Sequence, residues 1–205
     1  MTLAEGAKLL RGFVADDAPI LAALEAIVTQ APFRHMVTPG GYEMSVAVTN
    51  CGALGWTTDR SGYRYTERDP ASGRAWPAMP EAFIDIAARA ADAAGFAGFR
   101  PDACLMARYQ PGARLTLHQD RNEADLSQPV VSVSLGLGAT FLLGGTRRSE
   151  RPMRVPVQHG DVTVWGGPAR LRYHGVLPLA PGHHPALGAR RINLSFRKAG
   201  ASARG

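Results

Sequence analysis

The chain has 205 residues, 45% of them hydrophobic and 20% charged, and carries a formal net charge of +6 at pH 7. That length suits a single domain spanning 1–205, with core enough to need no disulfide staples, and no apolar run is long enough to span a bilayer. The basic residues are Arg except for Lys8 and Lys198, and guanidinium groups fork onto phosphates and stack on bases, so the balance points to a polyanionic partner unless it reflects only genomic base composition.

Lys8 to Phe13 reads as a short first strand. The opening Met1–Gly6 lacks the basic-then-apolar form of a signal peptide, so a cytoplasmic protein is expected. Asp16-Asp17-Ala18-Pro19 reads as a helix start, with acidic capping and an early proline. Ile20, Leu21, Leu24, Ile27 and Val28 recur at helical spacing, and the helix should stop near Gln30, ahead of Pro32. Thr38 to Pro80 is rich in Gly, Thr and aromatics. It is expected to form loops and hairpins around a strand at Met44–Val48 rather than a packed sheet interior.

A second helix is expected from Pro80 to Ala94, with Phe83, Ile84, Ala87, Ala90, Ala91 and Ala94 inward and Gly95 as its stop. From Cys104 onward the pattern turns to β, with strands expected at 104–110, 115–118, 130–137, 139–143, 153–157, 161–165, 171–176 and 190–197. Many short strands with turn signals suggest a double-sheet jelly roll or a barrel-like sandwich. Cys51 and Cys104 sit in apolar contexts and read as small buried side chains. Ala199 to Gly205 reads as a disordered tail.

The segment Leu115-Thr116-Leu117-His118-Gln119-Asp120 holds the most informative pattern. Residues two apart on a strand share a side and rise by roughly 6.6–6.8 Å. An imidazole and a carboxylate so placed can close on one cation, with remote His174 as third ligand. Two His and one carboxylate leave three octahedral positions open, as in non-haem Fe(II) oxygenases. His159 and Asp161 belong to a tight His-Gly-Asp turn, His183 and His184 to a Pro-Gly loop, and His35 to the early segment, so these read as structural or exposed. Arg191, Asn193, Ser195 and Arg197 share one face of the last strand. Either they line a cavity, where two guanidiniums would call for a dicarboxylate, or they face outward as a basic edge with Ile192, Leu194 and Phe196 turned to the core.

Several segments taken together carry a resemblance: Met36-Val37-Thr38-Pro39-Gly40-Gly41-Tyr42, Thr49-Asn50-Cys51-Gly52, Gly55-Trp56-Thr57-Thr58, Trp76-Pro77-Ala78-Met79-Pro80, Leu117-His118-Gln119-Asp120, Val131-Ser132-Val133-Ser134-Leu135-Gly136-Leu137, Val164-Trp165-Gly166-Gly167 and Arg191 to Arg197. In these, and from about Pro32 to Gly200, the chain resembles the AlkB family of Fe(II)- and 2-oxoglutarate-dependent nucleic-acid dealkylases. The resemblance implies a mainly β protein with flanking helices (α+β), a double-stranded β-helix over about 100–198, and an N-terminal nucleotide-recognition lid over about 32–80. It implies His118, Asp120 and His174 as iron ligands, with 2-oxoglutarate and O2 as co-substrates.

It further implies that Tyr109, Arg191 and Asn193 hold the distal carboxylate of 2-oxoglutarate, with Arg197 near its metal-binding end. Trp56 and His118 are implied to sandwich a flipped base, Tyr63 and Arg148 to lie around base and phosphate, and Tyr65 to be an aromatic lid residue. Two positions depart from the family pattern. Ala107 stands where the family has Asn, removing an amide near the 1-carboxylate of the co-substrate. Asn122 stands where AlkB has Asp, which bears on the preferred base. The implied activity is removal of N-alkyl groups of the 1-methyladenine and 3-methylcytosine type from single-stranded or damaged DNA by a monomeric enzyme. The same chemistry on RNA or tRNA, and a non-catalytic nucleic-acid binder, are the alternatives.

Overall fold

A computed structural model describes residues 1–200; residues 201–205 lie outside the described part. Along the chain run β1 (Thr2–Ala4), β2 (Ala7–Leu10), α1 (Ala18–Gln30), β3 (Arg34–Val37), β4 (Glu43–Gly52), β5 (Gly55–Asp59), β6 (Gly62–Thr66) and α2 (Glu81–Ala94). Then follow β7 (Ala103–Tyr109), β8 (Leu115–His118), β9 (Val130–Gly136), β10 (Ala139–Leu143), β11 (Met153–Val157), β12 (Val162–Trp165), β13 (His174–Val176) and β14 (Arg191–Arg197). An eight-stranded sheet, in the order β1-β2-β12-β9-β14-β7-β4-β3, and a four-stranded sheet, β11-β10-β13-β8, form the jelly roll; β5 and β6 make a separate hairpin. Every described pairing between these strands is antiparallel.

The large sheet is covered on both faces. Alternation sends Val131, Val133 and Leu135 of β9, and Ile192, Leu194 and Phe196 of β14, into a cluster with α1 and α2. The opposite faces of the same strands carry Ser132, Ser134, Arg191, Asn193, Ser195 and Arg197, all buried. The outward-edge alternative for β14 is therefore excluded, because the strand lies between β9 and β7. A second cluster, including Phe141, Leu143, Val155, Val157 and Trp165, joins the small sheet to β2 and β12.

Both expected helices are present, with corrections in detail. Asp17 sits at the α1 N-cap but makes no side-chain cap bond; Asp16 Oδ1 instead accepts from the Ala18 N–H at 3.1 Å. In α2 the buried face takes Ile86 rather than Ile84, and Gly95 ends the helix at φ 99°, a conformation that favours glycine. Strands β1 and β3 are additions to the sequence reading. The expected strand at 171–176 shortens to His174–Val176, behind a 3-10 turn at Gly167–Ala169.

The largest correction is β4. It runs ten residues and lies inside the large sheet, between β7 and β3. Its polar residues suggested a loop, yet they are buried and paired: Thr49 Oγ1 donates to the Ala31 carbonyl at 2.7 Å, and Asn50 binds the hairpin described below. Cys51 and Cys104 are buried and free, as expected, and face each other across β4 and β7. Ala199 and Gly200 are held rather than loose, their N–H groups donating to the Asp102 carboxylate at 2.6 and 3.1 Å; the rest of the expected tail lies outside the described residues. Among the described residues no helix is long and apolar enough to cross a membrane.

Phe83 is fully buried and meets Phe196 edge-on at 5.7 Å, so it joins α2 to the central strand. Phe83→Ala should lower the unfolding free energy by about 3–5 kcal/mol, measured by chemical denaturation.

Candidate metal and co-substrate site

His118 ends β8 and His174 begins β13, and the two are direct partners across that antiparallel ladder. The sheet register thus brings together two imidazoles 56 residues apart in sequence, with ring centroids 4.3 Å apart. Their Nδ1 atoms lie 2.9 and 3.1 Å from the carbonyls of Thr116 and Arg172, each two residues upstream. A carbonyl only accepts, so each Nδ1 carries the proton and each Nε2 offers its lone pair. Those Nε2 atoms lie 3.7 Å from Oδ1 and Oδ2 of Asp120 respectively. The candidate ligand atoms of the three residues are all within 4.8 Å of one another. The donor set suits a ferrous ion with open positions.

One element of the strand reading needs correction. β8 stops at His118, so Asp120 lies just past the strand end, in a segment without regular structure. Its position rests on side chains from elsewhere. Arg197 Nε and Nη2 both lie 2.8 Å from Asp120 Oδ2. Burial alone would raise the Asp120 pKa, but the Arg197 guanidinium and the nearby imidazoles outweigh it and hold the carboxyl well below its ordinary range. Burial pushes the His174 imidazole down to about 3, with the neighbouring His118 adding to the effect. His174 is therefore neutral and ready to ligate at neutral pH.

Beside this triad lies a cationic floor. Arg191 is 2% exposed. Its Nη2 donates to Ser134 Oγ at 3.0 Å, and its guanidinium carbon sits 4.9 Å from the centre of the Tyr109 ring. Its Nε and Nη1 are buried without a partner among the described residues. A buried cation with two unmet N–H donors is costly, and a carboxylate supplies both its charge and its acceptors. The site therefore fits the distal end of a dicarboxylic acid. Burial raises the Tyr109 phenol above its ordinary pKa, so it remains a donor.

Asn193 departs from expectation. Its Nδ2 is taken by Ser132 Oγ at 2.8 Å and the Val133 carbonyl at 2.9 Å, and its Oδ1 accepts from Ser195 at 2.9 Å. It organises the floor rather than offering a free amide. Ala107, directly opposite Asn193 in the ladder, places a methyl on that floor.

The hairpin carries the expected aromatics. Trp56 and Tyr65 are cross-strand partners, as are Thr58 and Tyr63, so the four share one face. Trp56 and Tyr63 stack at 5.7 Å and 21°, while the ring neighbour of His118 is His174. Arg148 is exposed, its guanidinium 5.9 Å from the centre of the Tyr173 ring next to His174; Asn122 is exposed. The remaining histidines stand apart. His159 Nδ1 accepts from the Gly136 N–H, its Nε2 meets Asp17, and its ring stacks on His184. Asp161 is buried at the turn and accepts from Arg11 and from the Gly12 and Gln158 N–H groups.

Residues the sequence reading did not single out complete the site. Asn50 accepts from the Trp56 N–H and donates to the Trp56 carbonyl, both at 3.0 Å, so one buried amide fixes the root of the hairpin. Trp76 covers Gly55, where any Cβ would strike the indole, and donates to the Thr66 carbonyl at 3.0 Å. Trp165 lies 4.8 Å from the His174 ring. The contacts of Asn50, Trp76 and Trp165 have no local sign in the sequence.

The family model of the 2OG-Fe(II) oxygenase superfamily matches residues 6–197. The chain is 56% identical to the alpha-ketoglutarate-dependent dioxygenase AlkB of Salmonella typhimurium, covering 96% of this chain and 92% of that protein. This chain belongs to the AlkB family. The Escherichia coli AlkB is 54% identical, over 97% of this chain and 92% of its own length. Among solved structures, OsALKBH1 superposes with a TM-score of 0.84 at 28% identity, covering 97% and 99% of the two chains. As an AlkB-family 2-oxoglutarate–Fe(II) dioxygenase, the protein uses Fe(II), 2-oxoglutarate and O2.

Two outcomes follow from this geometry. The His174 pKa of about 3 lies below its unfolded value of 6.5, so the unfolded chain binds the extra proton between them. Stability of the metal-free protein should be fully present above that window and decline as pH falls through it. His174→Gln should flatten that part of the profile in denaturant titrations, and equal slopes would contradict the assignment. Arg191→Ala should raise the 2-oxoglutarate concentration needed for half-maximal turnover by about 10-fold or more, the loss expected when a charged hydrogen bond worth about 1.5–3 kcal/mol is removed.

Proposed function

We propose that this protein removes N-alkyl groups of the 1-methyladenine and 3-methylcytosine type from DNA bases, preferring single strands. The observation that carries this reading is the meeting of His118, Asp120 and His174 on the side of the sheet where Arg191 has two donors without a partner among the described residues. His118, Asp120 and His174 would hold the iron. Arg191 would take the distal carboxylate of 2-oxoglutarate, with Tyr109 beneath the guanidinium and Asn193 bracing the floor. Arg197, locked to Asp120, would face the keto-acid end. When bound, Fe(II) with O2 and 2-oxoglutarate supplies the oxidation: one oxygen enters an N-alkyl C–H bond, the other leaves in succinate, CO2 is released, and the hydroxylated alkyl group departs as an aldehyde.

The chain's own contribution is positioning. An alkylated base must leave the stack to reach the metal, which is cheapest in a single strand and when the alkyl group already blocks pairing. Trp56 and the half-exposed Tyr63 provide an aromatic surface for it. Cationic 1-methyladenine and 3-methylcytosine suit such a surface, and stacking tolerates sequence. Arg148, above Tyr173, would meet the strand's phosphate. Asn122 adds polarity at the exposed rim without charge, so recognition of the cationic base rests on the aromatics.

The test is formaldehyde release from methylated single-stranded DNA, with matched RNA and free-nucleoside arms, each with and without 2-oxoglutarate. Release should require the co-substrate and be greatest on DNA; greater turnover on RNA would move the substrate assignment to RNA. Asp120→Ala should abolish release. Trp56→Ala should weaken turnover on oligonucleotides while leaving metal binding unchanged, and loss of metal in that variant would overturn its base-stacking role.

A further inference from the structure

The segment from Arg121 to Pro129 links Asp120 to β9 and has no regular secondary structure. Besides a bond from the Ala124 N–H to the Ala199 carbonyl, it is held at several points by one guanidinium. Arg170, 3% exposed, follows the 3-10 turn at Gly167–Ala169. Its Nη1 donates to the Asp120 carbonyl at 2.6 Å, its Nε to the Gln128 carbonyl at 2.9 Å, and its Nη2 to Glu123 Oε2 at 3.1 Å. Three nitrogens of one side chain thus bind Asp120, just ahead of the segment, and Glu123 and Gln128 within it. Glu123, 7% exposed, then joins that clamp to two other parts of the molecule. Its Oε1 accepts from the Tyr65 hydroxyl of the hairpin at 2.7 Å and lies 3.6 Å from Arg197 Nε. Arg197 in turn holds the Asp120 carboxylate.

We infer that Arg170 is a positioning residue for the metal centre, holding the Asp120 backbone from behind while Arg197 holds its carboxylate, and that Glu123 ties this clamp to the hairpin through Tyr65. The inference rests on Asp120 being a metal ligand. A ligand beyond its strand end has no ladder to orient it, and a planar fork that spans two carbonyls and a carboxylate supplies that orientation. Lysine cannot replace it, since one ammonium cannot reach three acceptors spread along a loop. Outer partners of metal ligands commonly set affinity by 10–100-fold.

The test is Co(II) alone, titrated into the metal-free full chain and followed by its ligand-field absorption. Arg170→Lys should weaken binding by about 10-fold or more. Leu24→Ala, in the core beneath α1 and remote from this clamp, serves as a variant that lowers thermal stability and should leave Co(II) affinity unchanged. Glu123→Gln, of nearly the same volume, should also weaken binding and stands in if the lysine variant does not fold. Tyr65→Phe should speed hydrogen exchange in β5 and β6. Wild-type affinity in folded Arg170→Lys, or in Glu123→Gln where that variant stands in, overturns the inference; so does an equal loss in Leu24→Ala. Asp120→Ala separates the two readings: if it binds Co(II) like the wild type, the ligand assignment fails, and if it alone loses binding, only the clamp fails.

Discussion

The structure turns on β14 being buried on both faces. Ile192, Leu194 and Phe196 join the helices through the main core, while Arg191, Asn193, Ser195 and Arg197 point the other way and are equally hidden from water. A strand so placed cannot slip by one residue, because the slip would send guanidiniums into the Phe83 cluster and aliphatic side chains onto the polar face. The stability of the fold and the placement of this polar, cationic face are thus one constraint. Ser132 and Ser134 on β9 match it, each meeting a polar side chain of β14 across the ladder.

The same polar face sorts its charges into two conditions. Arg197 is met by Asp120 and lies close to Glu123, so its charge is answered within the protein. Arg191 meets no carboxylate among the described residues; beside it lie the Ser134 hydroxyl and Tyr109. Two buried cations on one strand therefore differ in what they lack, and that difference is what supports the proposal of Arg191 as the group that takes a carboxylate. The imidazoles follow a parallel logic. Each is oriented by a carbonyl of its own strand, so the protein sets the tautomer before any cation arrives.

Much of this was readable in the sequence because it is periodic. The late strands alternate strongly, and their expected limits agree with the structure to within a residue or two except at 171–176, where His174 needed only the last three residues to reach its partner. The triad was legible from His118-Gln119-Asp120 and a remote His, whereas alternation alone left open which face of β14 turns inward. The misses have a common cause. β4 was hidden because Thr49 and Asn50 look like loop residues until their buried partners are known. The choice of Ile86 over Ile84 on α2 depends on where the sheet lies. Glu123 and Arg170 are 47 residues apart, and no local pattern distinguishes a buried ion pair at that separation from two charges in solvent. Asn193 had the right face, but its hydrogen-bond partners could come only from β9.

Asn50 anchors both backbone groups of Trp56, and Trp76 packs on the glycine before it, whereas Arg60 and Ser61 at the hairpin's far end are solvent-facing. That far end is closed on itself, with Ser61 and Arg64 both donating to Asp59, so the hairpin is joined to the body at its root. Exchanges at the turn therefore leave the indole where Asn50 and Trp76 hold it, so the position of the aromatic face is decided by the sheet and not by the loop that closes the hairpin.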